Sequence, residues 1–424
     1  MFWSIVRALA VTVFTLLIAA FSAQAAEAWT GRCLPPAEAQ TCHIWNGKVT
    51  FVGDGDTVYV DVWGDGRRSS LPVRMTGINA TEQTVYSSIA SRRRGECHAL
   101  EATARLERLL KRNRWRVRLY SLNPAAHSGR RLRRVVAAKI GGRWRDLGRK
   151  LITEGHAVWL PNRGEHAWNV DYARRFEYAA GKRRNLWDPT YCGAGPQDES
   201  PLKVIVNGDT NFLSDEWVRV RNLDPVNEVH LGGWWVRDSE LNRFVFPEWA
   251  TLPPGESLTV YAGEGAHTWT EFFWGRQNQL FGNIGPNGDG DAAYLVDPHG
   301  DIRAWMTYPC VRNCTDPAQD VLKVTAKPRG REYLTVRNVG SFAVDLEGYR
   351  LHSPPQSYPF GRDSVLNPGE EMRIWATGDP AQDTRLEKHW GETGPFLNNG
   401  GDKVRLSNLR GTVLDCFTWG RGRC

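Results

Sequence analysis

The chain reads as mainly β: a small five-stranded barrel carrying three helices, followed by two β-sandwiches. Three observations carry this. Short apolar/polar alternations recur between turn residues from residue 44 onward. Only three stretches have helical spacing, all before residue 192. The segment after residue 201 then repeats itself once, at an offset drifting from 116 to 111 residues.

In the first unit, residues 44–62 read as two strands joined at Gly53-Asp54-Gly55-Asp56, and residues 70–78 as a third. Residues 84–98 form an exposed loop by composition. Leu106, Leu109 and Leu110 with Ala102 and Ala104 space a helix over 101–113. Residues 115–122 and 132–140 alternate again as strands four and five. Two more helices run over 147–154 and 170–180, stopped by Gly155 and Gly181. Five strands with a helix between the third and fourth suggest a Greek-key barrel of the OB type, an α+β unit over residues 29–192. Residues 193–200 form a linker. In the repeat, EWVRVRN at 216–222 returns as EYLTVRN at 332–338, and LPPGESLTV at 252–260 as LNPGEEMRI at 366–374. Residues 201–314 and 319–424 are therefore two copies of one β-rich module, and many short strands between turns imply sandwiches.

The first 25 residues read as an export signal, with Arg7, an apolar run from Ala8 to Phe21, and Ala23-Gln24-Ala25 before cleavage. An uncleaved anchor is the other reading; the run is shorter than the roughly 20 residues that span a bilayer. No other segment is apolar enough to span. Export places the eight cysteines in an oxidising compartment. Cys33 with Cys42, Cys310 with Cys314 and Cys416 with Cys424 can close small loops, leaving Cys97 and Cys192 to bracket the barrel. Zinc is disfavoured, since no Cys-x-x-Cys occurs and the histidines are scattered.

The net charge of +7 conceals a division. Residues 29–192 hold 30 Lys and Arg against 15 Asp and Glu, whereas residues 193–424 hold 23 against 31. A basic first unit points to a polyanionic partner. Phosphodiester hydrolysis needs charge neutralisation, a positioned water and donors for the phosphate oxygens. The first unit offers Asp54 and Asp56 at a turn, Arg74 in a strand, Glu82 just after it and Arg133 at the start of the fifth strand. Taken singly, Asp-Gly-Asp-Thr is an ordinary turn sequence, Arg74 an ordinary strand residue and Glu82 an ordinary loop carboxylate; the signal lies in the fixed order of turn, strand-borne Arg and following Glu, from Asp54 to Glu82, within 30 residues.

GDGDTVYV, VRMTGINATEQ, RRVVAAKI with DLGRKLITEGHA, and RRNLWD resemble the staphylococcal-nuclease (thermonuclease) family, secreted calcium-dependent enzymes on an OB barrel. The resemblance spans residues 44–188. It implies that Asp56 is a carboxylate ligand of Ca²⁺, that Arg74 and Arg133 clamp the phosphate, and that Glu82 positions or activates water; Arg134 is the alternative to Arg133. The family's second metal aspartate falls on Asn79. Its neighbouring threonine, a backbone-carbonyl ligand, falls on Ala80. One charge fewer predicts weaker Ca²⁺ binding, with Asp54 as an indirect support. Tyr86, Trp159 and Trp168 are candidate base-stacking residues, although core or surface packing is the more ordinary role for each. The implied activity is cleavage of DNA with little sequence preference, since the identifiable groups address phosphate; RNA is a second candidate substrate. The competing class is an extracellular nucleic-acid-binding or adhesion protein without catalysis.

The repeats resemble lamin-tail domains, which are immunoglobulin-like sandwiches. The resemblance rests on Asn222 and Asn338, the Leu-x-Gly-aromatic turn, the Pro-Gly-Glu turn and a late Gly-Asp strand. GPNGDGDAA at 285–293 lacks the terminal Glu of a calcium loop and reads as a polar hairpin. The acidic modules suit contact with a cell envelope or another protein better than contact with DNA.

Overall fold

The computed structural model describes residues 28–37, 39–83, 95–193, 201–362 and 364–424. The export signal, Tyr86, most of the 84–98 loop and most of the linker lie outside the described residues.

The barrel strands are β1 (Thr41–Val52), β2 (Thr57–Val62), β3 (Leu71–Met75), β4 (Arg116–Ser121) and β5 (Arg131–Ile140). They pair in the order β1-β2-β3-β5-β4 and close through β4 back onto β1. All of these pairings are antiparallel except β3 with β5. Three helices pack around the barrel: α1 (Ala99–Lys111), α2 (Leu147–Glu154) and α3 (Asn169–Gly181). The apolar spacing read from the sequence is the buried face of α1, with Ala102, Leu106, Leu109 and Leu110 fully enclosed. The side chain of Asp146 caps α2 by accepting from the Arg149 N–H, and Gly155 ends the helix at φ +78°. An additional strand, Trp29–Arg32, pairs with β1 and is tied to it by Cys33–Cys42.

The β1–β2 turn is held close against α1. A Cβ on Gly55 would come within 2.7 Å of the Ala80 Cβ and 2.8 Å of the Ala102 Cβ. Only glycine lets the acidic turn approach both.

Each module beyond residue 201 is a pair of four-stranded sheets with a two-stranded ribbon, and the topology of the first recurs strand for strand in the second. Even the single parallel pairing repeats, Ser257–Tyr261 with Glu271–Phe273 and Glu371–Thr377 with Glu387–Glu392. Asn222 and Asn338 are buried, and each donates to two or more backbone carbonyls of its own module. The motif asparagine therefore satisfies buried backbone groups.

The disulfides are Cys33–Cys42, Cys97–Cys192, Cys310–Cys314 and Cys416–Cys424, which leaves no free cysteine. Among the described residues no helix is long and apolar enough to cross a membrane.

The first module is fused to the barrel. Phe176 of α3 and Trp187 meet Tyr294 and Trp305 of the module, at ring-centroid distances of 5.3 to 6.1 Å. Ala292, Tyr294, Val296 and Ile302 belong to the same apolar cluster as the barrel core. Glu177 of α3 accepts from Thr307 of the first module at 2.8 Å and from Arg410 of the second at 2.7 Å. All three units thus meet at one carboxylate.

Candidate phosphate site on the barrel

The parallel pairing of β3 with β5 sets Arg74 opposite Arg133, and the antiparallel pairing of β2 with β3 sets Thr57 opposite Arg74. Strand alternation carries Arg131 to the same side as Arg133, where it donates to the Thr57 hydroxyl at 3.2 Å. Arg134, one residue on, belongs to the other face. It is buried, donates to the carbonyls of Ala126 and Pro124, and lies over the Trp45 ring. This separates the two arginines that the sequence left as alternatives: Arg133 faces the site and Arg134 holds the neighbouring loop.

Asp56 is 1% exposed. Its Oδ1 accepts from Arg74 Nη1 and from the Thr57 hydroxyl, and its Oδ2 accepts from the Ala80 N–H at 2.7 Å. Asp54 accepts from the Asp56 N–H at 3.0 Å, closing the turn. Burial pushes the Asp56 carboxyl up to about 7, against the pull of Arg74. Asn79 is 2% exposed; its Oδ1 accepts from Arg74 Nη2. The guanidinium of Arg74 therefore spans Asp56 and Asn79. Glu82 is half-buried, and burial together with the Asp54 charge raises its proton affinity while Arg74 lowers it. Its backbone exchanges two hydrogen bonds with Glu96. Arg133 is half-buried. Burial and the nearby Arg74 charge lower its pKa, and Glu240 of the first module opposes them.

As folded, this donor set does not fit a divalent cation. The oxygens expected to bind it are turned to the Arg74 guanidinium, and Ala80 meets Asp56 through its N–H. Among the described residues no group of three or more His, Cys, Asp or Glu side chains could share a metal ion. What the arrangement supplies is a cluster of arginine donors beside a half-buried carboxylate, the chemistry of an oxyanion clamp.

Asp54, Asp56, Arg74, Asn79, Ala80, Glu82 and Arg133 are brought together around one corner of the barrel. Trp159 is a correction. It is fully buried beneath the site, its short strand pairing with Ile78–Asn79, so no base can stack on it; Trp168 is likewise enclosed. The sequence reading missed Arg131, although its two-residue spacing from Arg133 marks it. It also missed Ser239, whose carbonyl accepts from Asn79 Nδ2 at 2.9 Å across 160 residues; no local signal leads to that contact.

An OB-type barrel with an arginine and carboxylate corner, fused to a tandem of sandwiches, defines the class. The Lamin Tail Domain family model matches residues 198–310 and 318–421, together a little over half of the chain. The chain belongs to the lamin tail domain family. These matched residues cover the two repeated modules, while the likeness of the barrel to the nuclease family rests on its motifs. No curated protein matches the chain.

Proposed function

We propose that this protein is a secreted phosphodiesterase that cleaves DNA, and RNA as a second candidate substrate, with little sequence preference. The observation that carries the reading is the register of β3 and β5, which pairs Arg74 with Arg133 beside Glu82. Arg133 and Arg131 would draw in the phosphate oxygens, and Arg74 would stabilise charge as it develops on them. Glu82, with its raised proton affinity, would take the proton of the attacking water. The basic composition of residues 29–192 supports a polyanionic substrate, and the paired cysteines support an oxidising, extracellular setting.

A second reading is favoured by one observation: the Arg74 guanidinium lies between Asp56 and Asn79. If it stays there, the barrel binds nucleic acid without cutting it. The acidic modules would then carry contact with a cell envelope or another protein.

A plasmid-nicking assay of the full chain separates the two. Under the first reading the wild type nicks DNA, and Glu82→Gln loses on the order of 10²–10³ in rate while binding is retained. Oligonucleotide binding with no nicking, with millimolar Ca²⁺ or with EDTA, would establish the second. Loss of nicking in EDTA alone would restore the Ca²⁺ requirement that the resemblance implies.

A further inference from the structure

The asparagine at 79 looks like a loss when the barrel is considered alone, but the docked module gives it a purpose. The turn 238–242 connects strands Trp235–Arg237 and Arg243–Val245 of the first module. Its geometry is held from within. Asp238 accepts from both the backbone and the side-chain nitrogen of Asn242, at 2.9 and 2.6 Å. The Ser239 N–H donates to Asp291 Oδ1 at 3.2 Å, and Asp291 Oδ2 accepts from Gly282 at 3.1 Å. The turn thus presents the buried Ser239 carbonyl to the barrel, and Asn79 Nδ2 donates to it.

Asn79 performs two opposite tasks with one planar group: its oxygen accepts from Arg74 and its nitrogen donates to Ser239. A carboxylate could do the first and not the second. It would also add a charge beside a carbonyl and near the buried acids Asp238 and Asp291, both already pushed up by burial. Glu240, next along the turn, is exposed, and its charge acts on Arg133. Glu240 itself lines a groove of about 270 Å³ that runs along the seam, together with Leu160 and Arg163 of the barrel and Gln279 and Asp289 of the first module.

We propose that the turn 238–242 is the outer wall of the phosphate clamp. Asn79 is the positioning residue that fastens the wall to Arg74, and Glu240 competes with phosphate for Arg133 and sets how tightly nucleic acid is held. The role of Glu240 rests on the phosphate-binding reading above. The role of Asn79 as a fastening stands without it.

The test uses the full chain with Glu240→Gln, Asn79→Asp and Arg133→Ala. Binding of an eight-residue oligothymidylate is followed by fluorescence anisotropy at low and high salt, and backbone exchange around Ser239 by hydrogen–deuterium exchange. Glu240→Gln replaces an exposed side chain and leaves the fold intact. It should tighten oligonucleotide binding about threefold at low salt and by less at high salt, and unchanged affinity would overturn the role given to Glu240. Asn79→Asp should speed exchange at Ser239 and lower Tm without creating a calorimetrically detectable Ca²⁺ site. Unchanged exchange together with one Ca²⁺ bound per chain would make position 79 a ligand position and refute the fastening. If Arg133→Ala leaves oligonucleotide affinity unaltered, the phosphate-binding reading fails, while the exchange result still decides the role of Asn79.

Discussion

Replacing Arg74 with Met tests whether the corner is closed as described. Asp56 is 1% exposed and Arg74 6%, so the change leaves a buried carboxylate without its counter-charge and Asn79 Oδ1 without its donor. Breaking a buried pair in this way typically costs about 3–5 kcal/mol. The cost here depends on pH, because Asp56 can escape by taking up a proton. In the wild type its carboxyl is at about 7, above the ordinary 3.8. The folded state therefore holds a proton that the unfolded chain has released, and stability falls as pH rises from about 4 to 7 and then levels. Without Arg74 the carboxyl moves higher, and stability keeps falling above pH 7. At pH 6 both proteins carry a mostly protonated Asp56, and the difference reduces to lost hydrogen bonds, about 1–2 kcal/mol. Each further pH unit above 7 adds up to ~1.4 kcal/mol, reaching the 3–5 kcal/mol range near pH 9. Urea unfolding of the full chain at pH 6 and pH 9, followed by circular dichroism, measures this. Asp56→Asn together with Arg74→Met should remove the steep alkaline loss. Equal destabilisation at both pH values, or a double variant no more stable than Arg74→Met at pH 9, would refute the buried pair.

Two other outcomes follow from the same physics. Trp305→Ala removes a half-buried ring that packs on both Phe176 and Trp187 and should cost about 2–3 kcal/mol; in calorimetry the barrel and first module should begin to unfold separately, and a single unchanged transition would mean that the shared cluster bears little of the stability. Burial pushes Asp146 up to about 6 from 3.8, against the Tyr172 hydroxyl and the Arg149 N–H, so its charge costs stability that grows between pH 4 and 6, up to ~3 kcal/mol at pH 7. Asp146→Asn keeps an effective helix cap, should flatten that slope and should match or exceed the wild type at pH 7; a variant weaker than wild type at pH 7 but equal to it at pH 4 would contradict the assignment.

The barrel was legible because its signals are local. Alternation marked the strands, and the spacing of Leu106, Leu109 and Leu110 marked α1 within two residues at each end. Gly155 marked the end of α2. The repeat made the second sandwich legible from the first, since the same asparagine does the same work at 222 and 338. Trp159 misled because a tryptophan near a candidate site carries no local mark of burial. Its neighbours at Ile78 and Asn79 are set by a strand pairing across 80 residues.

Asn79 shows why the remainder was not legible. Read within the barrel, an amide in place of a carboxylate lowers the charge at a cation position and predicts weaker Ca²⁺ binding. The amide has a second end, and its partner is a backbone carbonyl, which leaves no trace in residue type at position 239. The charges that make a carboxylate unfavourable there come from Asp238 and Asp291, in a module whose overall acidity pointed away from any part in a phosphate site. The composition of the modules favoured contact with a cell envelope or another protein, and the Asn79–Ser239 hydrogen bond adds a place for the first module at the barrel corner. Under the proposed reading, an acidic module docked through Tyr294 and Trp305 onto a basic barrel would supply the wall and the competing carboxylate of the phosphate site. Binding at Arg133 would then be a property of two modules together.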